Sequence, residues 1–151
     1  MSFSYAELRP GRARHVAVRT LQYQLREWGD AALATRYHDR FFDSYIAEPM
    51  QKIVTDKIRP PGKSDPHGVE EARKQLATAY DIIDARIGVF AAGDDFTLAD
   101  CAASPALWYA NKVQPFGDRP RLTAYYDRLM SRPAFQRVLE EAKPLMHFFP
   151  G

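Results

Sequence analysis

Cysteine, long apolar runs and an excess of charge are all scarce in this chain of 151 residues. Its single cysteine excludes an internal disulfide, and nothing in the composition points to an oxidising compartment. No apolar stretch approaches the roughly 20 residues that a membrane-spanning helix needs. A net charge of +2 gives no reason to expect nucleic acid as a partner. We therefore expect a cytoplasmic protein with neither a membrane nor a nucleic-acid partner.

The N-terminal segment 1–27 is basic, but it lacks the continuous apolar core of a secretory signal. Its arginines alternate with small apolar residues, while Leu21 and Leu25 keep helical spacing. Three interpretations stay open for this segment: an added helix, a disordered basic arm, or the product of a shifted start site. We expect residues 28–151 to form the folded domain.

Helical periodicity dominates that domain, and strand signals are few. The first helix is expected over residues 30–47, with apolar and aromatic side chains at intervals of four. These are Leu33, Tyr37, Phe41 and Tyr45. Pro49 is expected to kink or break this helix after Ala47, because the ring removes an amide and disfavours helix at Glu48.

Further helices follow from the same spacing. Asp65 is expected to cap a second helix that continues to Phe90 and ends at a glycine cap, Gly93. Three more helices are expected over residues 98–111, 121–130 and 133–142. The fold class is therefore an all-α bundle of five or six helices.

Thr97 and Asp100 carry the clearest local signal in the chain. Thr97 stands three residues before Asp100 and ahead of a run of small apolar residues, which is the spacing of a capping box. A carboxylate in this position is far more often structural than catalytic, so we interpret Asp100 as a folding residue. Cys101 follows at once; the helix dipole could lower its thiol pKa, but we favour a small apolar core residue.

The histidines give no metal site. The four are scattered, and none pairs with a carboxylate at zinc-ligand spacing on one face. His38, Asp39 and Asp43 share a helix, but acids beside Arg36 and Arg40 are typical of a solvated ion-pair face. We expect no bound metal.

Three segments together resemble a known family. The run Phe-Thr-Leu-Ala-Asp at 96–100, followed by a small-residue helix, resembles the buried central helix of the glutathione transferase C-terminal domain. Residues 120–135 resemble that domain's next helix and its Arg-Pro-Ala-Phe corner. Residues 39–43 and 48–54 resemble its long first helix in bacterial members. The matches come in the family's order and cover about residues 28–151.

The resemblance implies a pocket. In the family the first helix of this domain lines the site of the electrophilic substrate. The pocket candidates implied here are Tyr37, Phe41, Tyr45, Trp108 and Tyr109. The alternative, that these aromatic residues are bundle core, is the one we favour because aromatic stripes mostly pack.

The resemblance also shows what is missing. The family binds glutathione mainly on an N-terminal thioredoxin-like domain that supplies the catalytic tyrosine, serine or cysteine. We find no strand–helix–strand pattern before Trp28. No catalytic residue can therefore be assigned and no cofactor is expected, glutathione being a co-substrate only if the missing domain is supplied.

Our leading hypothesis is a helical module that is non-catalytic alone. It keeps a remnant pocket for an apolar small molecule and pairs with itself through the first two helices of the domain, as the family's dimers do. One alternative is a fragment or subunit of an active transferase that conjugates glutathione to electrophiles. The other is a protein-interaction module without affinity for glutathione.

Overall fold

The computed structural model describes residues 29–150. The chain divides into two units, Met1–Ala34 and Thr35–Gly151. Of the first unit only the helical residues 29–34 are described, and the predicted segment 1–27 lies outside the described residues.

The second unit is built from helices, as predicted from the sequence, and no strand occurs within residues 35–150. A lone antiparallel bridge joins Phe90 and Gly93. In chain order the elements are α1 (35–41), a π-helical segment (Phe42–Ala47), α2 (Glu48–Lys57), α3 (Pro66–Arg86), α4 (Leu98–Val113), α5 (Pro120–Met130), α6 (Pro133–Ala142) and a 3-10 helix (Lys143–Phe148). The predicted all-α bundle is confirmed.

Of the two alternatives predicted at Pro49, a kink or a break of the helix, the break is wrong. The helical path continues from α1 through the π-helical segment into α2, with Glu48 in the right-handed helical region and Pro49 in the first turn. The Glu48 amide bonds the carbonyl of Asp43, five residues earlier. Proline has no amide to place and its ring needs room beside the preceding turn, so a wider turn there accommodates it without ending the helix.

Helix α3 begins where the sequence predicted and ends sooner. The Asp65 side chain accepts a hydrogen bond from the Gly68 amide at 2.9 Å, which caps the helix ahead of its first residue, Pro66. The last helical residue is Arg86, and Ile87 is already extended. The prediction that this helix reaches Phe90 is therefore wrong, and residues 87–97 form a loop instead.

The core lies where α2, α3, α4, α5 and the π-helical segment meet. Phe42 stacks on Tyr125 with ring centroids 6.4 Å apart. The largest fully buried side chains of the core include Tyr80, Tyr125, Phe42, Ile46, Ile53, Leu76, Leu107, Leu122 and Leu129. Burying side chains of this size from several helices is the main stabilising contribution in an all-α domain.

Cys101 is exposed, so the favoured core interpretation of this residue is wrong. Helix α4 buries one face through residues such as Ala99, Ala103 and Leu107, while Cys101 and Pro105 are exposed. Because small residues occupy both faces, composition alone did not show which face would be covered.

The C-terminal part of the described chain is less buried. Helix α6 and the 3-10 helix after it contain no buried residue. Phe149 packs against the core and contacts the Tyr109 ring at a centroid distance of 5.0 Å, whereas Leu145 and Phe148 are exposed. Within residues 29–150 no helix is long and apolar enough to cross a membrane.

Candidate functional site

Asp100 is fully buried, and its carboxylate accepts several hydrogen bonds. Thr97 and Asp100 form a capping box, in which the Thr97 amide donates to Oδ2 at 2.8 Å and the Thr97 hydroxyl to the same oxygen at 3.1 Å. The Ala91 amide and the Tyr125 hydroxyl donate to Oδ1 at 2.8 and 2.7 Å. The carboxylate thus joins three segments: the loop 87–97, α4 and α5.

Tyr125 is bound into this network as a neutral donor. Burial, and then the hydrogen bond to Asp100, raise the pKa of the Tyr125 hydroxyl well above its usual value. Tyr80 is raised as well, chiefly by burial, while its hydroxyl donates to the Gln114 carbonyl at 3.1 Å. Every buried side-chain nitrogen or oxygen in the described residues has a hydrogen-bond partner, so this interior has no unsatisfied group left to bind a ligand.

The aromatic stripe of α1 behaves differently. Phe41 is buried, but Tyr37 and Tyr45 are 56% and 57% exposed, so the core interpretation holds for Phe41 alone. The three rings form a row, with centroids 6.4 Å apart between Tyr37 and Phe41 and 5.2 Å apart between Phe41 and Tyr45. The row continues into the π-helical segment and leaves two phenol rings at the surface.

A cavity of about 440 Å³ adjoins the end of this row formed by Tyr37 and Phe41. It is lined by α1 and the start of the π-helical segment, by the C-terminal end of α3, and by the loop 87–97. Its apolar lining comes from Phe41, Phe42, Ile82, Ile83, Ile87, Phe90 and Ala91. The polar residues around it are Tyr37, His38, Arg86 and Asp94. Among the sequence-predicted pocket residues, Tyr37 and Phe41 line this cavity, whereas Tyr45, Trp108 and Tyr109 do not.

Helix α5 holds the part of the cavity wall that the loop 87–97 forms. The Arg121 guanidinium donates to the carbonyls of Ala85 and Ile87, and that of Arg128 donates to the carbonyl of Val89. Helix-end carbonyls have no partner within their own helix, so a cation here satisfies acceptors and complements the helix dipole.

Asp84 returns the interaction from α3 to α5. Its Oδ1 accepts from the amides of Arg121 and Leu122 at 2.8 and 2.9 Å, which caps the N-terminus of α5 with a side chain from another helix. Helix α5 therefore provides donors for carbonyls at the C-terminal end of α3, and α3 provides an acceptor for amides at the N-terminal end of α5. These hydrogen bonds lie where α3 stops and where the cavity wall begins.

Trp108 and Tyr109 lie elsewhere on α4 and are half-buried. Their rings meet edge to face at 4.7 Å, Lys112 lies over the Trp108 ring at 4.5 Å, and Phe149 covers Tyr109. This cluster is packed rather than hollow. Over the described part of the chain, no group of three histidine, cysteine or acidic side chains could hold a metal ion.

Sequence reasoning missed most of the cavity wall. It assigned no role to Arg86 and predicted that Phe90 is helical. The usable signal was the group Ile82, Ile83 and Ile87. Their apolar side chains cover a wider arc of the helix surface than a single buried face needs at the end of a helix. Part of the loop conformation had no local signal, because Arg121 and Arg128, more than thirty residues later, bind carbonyls of Ile87 and Val89.

The family model described as glutathione S-transferase, C-terminal domain, matches residues 45–133 of the chain. Glutathione S-transferase F13 of Arabidopsis thaliana is 39% identical over 75 residues, which are 46% of this chain and 34% of that protein. The glutathione S-transferase of Hyoscyamus muticus is 30% identical over 100 residues, 63% of this chain and 43% of that protein. Glutathione S-transferase 1 of Triticum aestivum is 33% identical over 93 residues, 57% and 41% of the two chains.

The matched region spans less than half the length of each of these curated relatives. No solved structure matches the chain.

Proposed function

The chain belongs to the glutathione S-transferase C-terminal domain family, and on that premise we propose that its helical domain binds apolar small molecules in the cavity beside Tyr37 and Phe41. In this proposal the domain supplies the apolar-substrate half of a transferase-type protein in the cytoplasm. The proposal leaves the glutathione chemistry named in its relatives to residues outside this helical domain.

The cavity is the observation that carries this proposal. Its volume of about 440 Å³ falls within the roughly 300–1,000 Å³ typical of small-molecule sites. The lining combines isoleucine and phenylalanine side chains with a few polar groups at the edge, which is the usual composition of a site that buries an apolar ligand. A helix on one side and a loop held by α5 on the other make the site preformed.

The proposal that the domain is non-catalytic alone is supported by where its polar groups lie. Strongly perturbed pKa values cluster at catalytic sites, so a catalytic cavity is expected to include such groups. Tyr80 and Tyr125, whose pKa values are strongly raised by burial, lie in the core and do not line the cavity. Asp100 is likewise fully engaged in folding contacts.

A cavity-filling substitution tests the binding site. Ile82 is on the cavity wall and 38% exposed, so Ile82→Trp can place a larger ring there with little cost to the fold. We expect this variant to weaken binding of the uncharged fluorophore N-phenyl-1-naphthylamine by about tenfold, as judged by fluorescence titration. Val138→Trp, on the exposed side of α6, is the matched control and leaves the affinity unchanged. The reverse pattern, with loss only in the control, would place the apolar ligand on α6 instead.

A second proposal concerns self-association, which is typical of this family. Tyr37 and Tyr45 expose more than half of their surface beside the buried Phe41, and exposed aromatic side chains are common at protein interfaces. We infer that a second copy of the chain packs against this part of the first two helices. Sedimentation equilibrium should show a dimer that Tyr45→Ser weakens, with Thr78→Ser on the exposed side of α3 as control. A monomer at every concentration would contradict it.

A further inference from the structure

Two charged side chains of opposite sign border the cavity, and neither has a side-chain partner among the described residues. Arg86 is the last residue of α3, and Asp94 lies on the loop that follows. Both line the same cavity and both are exposed. They form no ion pair with each other, and within residues 29–150 the structure records no side-chain hydrogen bond or ion pair for either.

Several neighbouring charges at this end of the bundle are engaged in the fold. Arg121 and Arg128 bind loop carbonyls, and the Arg132 guanidinium lies 3.6 Å from the centre of the Phe96 ring. Asp84 caps α5, and Asp100 is saturated with donors. Arg86 and Asp94 differ from these engaged charges, because they line the cavity without a side-chain partner in the described residues.

We propose that the cavity takes a zwitterionic amphiphile: an apolar chain or ring that carries an ammonium and a carboxylate at one end, as a long-chain α-amino acid does. This inference rests on the proposed apolar site and adds the charge of the ligand's head. The Arg86 guanidinium binds the carboxylate, for which its forked donors are suited, and the Asp94 carboxylate binds the ammonium. The apolar body lies among Phe41, Ile83 and Ile87.

The charge pattern favours a zwitterion over an ion of one sign. A ligand with only a carboxylate gains Arg86 but meets the like charge of Asp94, and a ligand with only an ammonium gains Asp94 but meets Arg86. His38 and Tyr37 also border the cavity and add polar contacts of either sign. Only a head with both charges pairs with each wall and leaves neither opposed.

Four probes with the same ten-carbon chain separate the head from the body. They are 2-aminodecanoic acid, decanoic acid, decylamine and 1-decanol, each titrated by calorimetry at pH 7 and low salt, below the concentration at which it aggregates. We expect 2-aminodecanoic acid to bind about tenfold more tightly than 1-decanol, with the singly charged probes close to 1-decanol.

Two charge-neutralising variants assign each half of the head. Arg86→Gln should reduce the affinity for 2-aminodecanoic acid about fivefold and improve that for decylamine, because the repelling cation is gone. Asp94→Asn should reduce the first affinity by a similar factor and improve that for decanoic acid. Arg137→Gln and Asp95→Asn, two exposed residues that do not line the cavity, are the controls and change neither.

The outcomes distinguish this inference from the proposal of an apolar site on which it rests. Equal affinity for all four probes would overturn the zwitterion proposal and leave the apolar site standing. Tightest binding of decanoic acid, unaffected by Asp94→Asn, would also overturn it in favour of an anion site. No binding of any probe, 1-decanol included, would overturn both the apolar site and its proposed ligand.

Discussion

The surroundings of Asp100 and the cavity beside α1 share the loop 87–97, and they use polar groups in opposite ways. Around Asp100 every buried donor and acceptor is paired inside the fold. Around the cavity and along the adjoining α1 stripe, two phenol rings are exposed, and Arg86 and Asp94 have no side-chain partner in the described residues. A polar group that is already satisfied stabilises the fold, whereas one left open at a cavity is available to a ligand.

The loop 87–97 connects these two regions. Asp100 holds it through the Ala91 amide, α5 holds it through Arg121 and Arg128, and its outer side forms the cavity wall. We call the surroundings of Asp100 the sealed region, and the cavity with the exposed Tyr37 and Tyr45 the open region. The contrast therefore predicts that substitutions in the sealed region act first on stability. Substitutions in the open region should act on binding or association.

The largest effect is expected at the centre of the sealed region. Asp100→Ala removes the acceptor for two amides and one buried phenol, so it should lower the free energy of unfolding by roughly 3–5 kcal/mol. Urea unfolding followed by circular dichroism measures this loss. Asp95→Ala, an exposed neighbour, should stay within about 0.5 kcal/mol of the original chain. A loss below 1 kcal/mol for Asp100→Ala would show that the network is not central to the fold.

Arg121→Met comes next and touches both regions. It leaves the Ala85 and Ile87 carbonyls without their cation, so we expect a loss of about 1–2 kcal/mol in the free energy of unfolding. Because Ile87 is part of the cavity wall, the affinity for N-phenyl-1-naphthylamine should fall as well. Arg137→Met on α6 is the control for both readouts. Lost stability with unchanged affinity would mean that the wall keeps its position without Arg121.

The buried phenols predict how stability depends on alkaline pH. The pKa of Tyr125 is raised in the folded state, so the folded protein keeps this proton at a pH where the unfolded chain, with a tyrosine pKa of about 10, loses it. This contribution is fully present below pH 10 and declines above it, by up to about 1.4 kcal/mol per pH unit. Urea unfolding at several pH values above 10 should show a shallower decline for Tyr125→Phe. Equal slopes would contradict the assignment.

The smallest effect on stability is expected in the open region. Tyr45→Ser removes a ring that is 57% exposed, so in dilute solution the free energy of unfolding should change by less than about 0.5 kcal/mol. The neighbouring Phe41 is buried, and Phe41→Ala should cost roughly 3 kcal/mol by the same urea measurement. Similar losses for both variants would mean that the two sides of the α1 stripe are equally buried.

Local patterns in the sequence predicted the sealed region well. Thr97 and Asp100 are three residues apart, and the side chain of one meets the backbone of the other, so spacing alone located this cap. The Asp65 cap ahead of Pro66 follows from equally local chemistry. Such interactions depend on a few consecutive residues.

Distant interactions decide the features that were mispredicted. Helix α3 ends at Arg86 while Arg121, from a later helix, binds its last carbonyls, and nothing near Arg86 encodes that contact. By contrast, the π-helical segment beside Pro49 is local, but proline alone does not predict that geometry. The part of the cavity wall that the loop 87–97 forms is held by the same distant arginines. The pocket candidates from α1, Tyr37 and Phe41, were therefore only half of the site.

The most direct test of the account places apolar binding and thiol chemistry side by side in one sample. The purified chain is titrated by calorimetry with reduced glutathione and assayed for conjugation of glutathione to a chromogenic aryl halide, after N-phenyl-1-naphthylamine binding has been measured. We predict fluorophore binding that Ile82→Trp weakens, no heat with glutathione and no turnover. Glutathione binding with turnover that Tyr37→Phe abolishes would contradict the account, because the exposed phenol would then be part of a catalytic site.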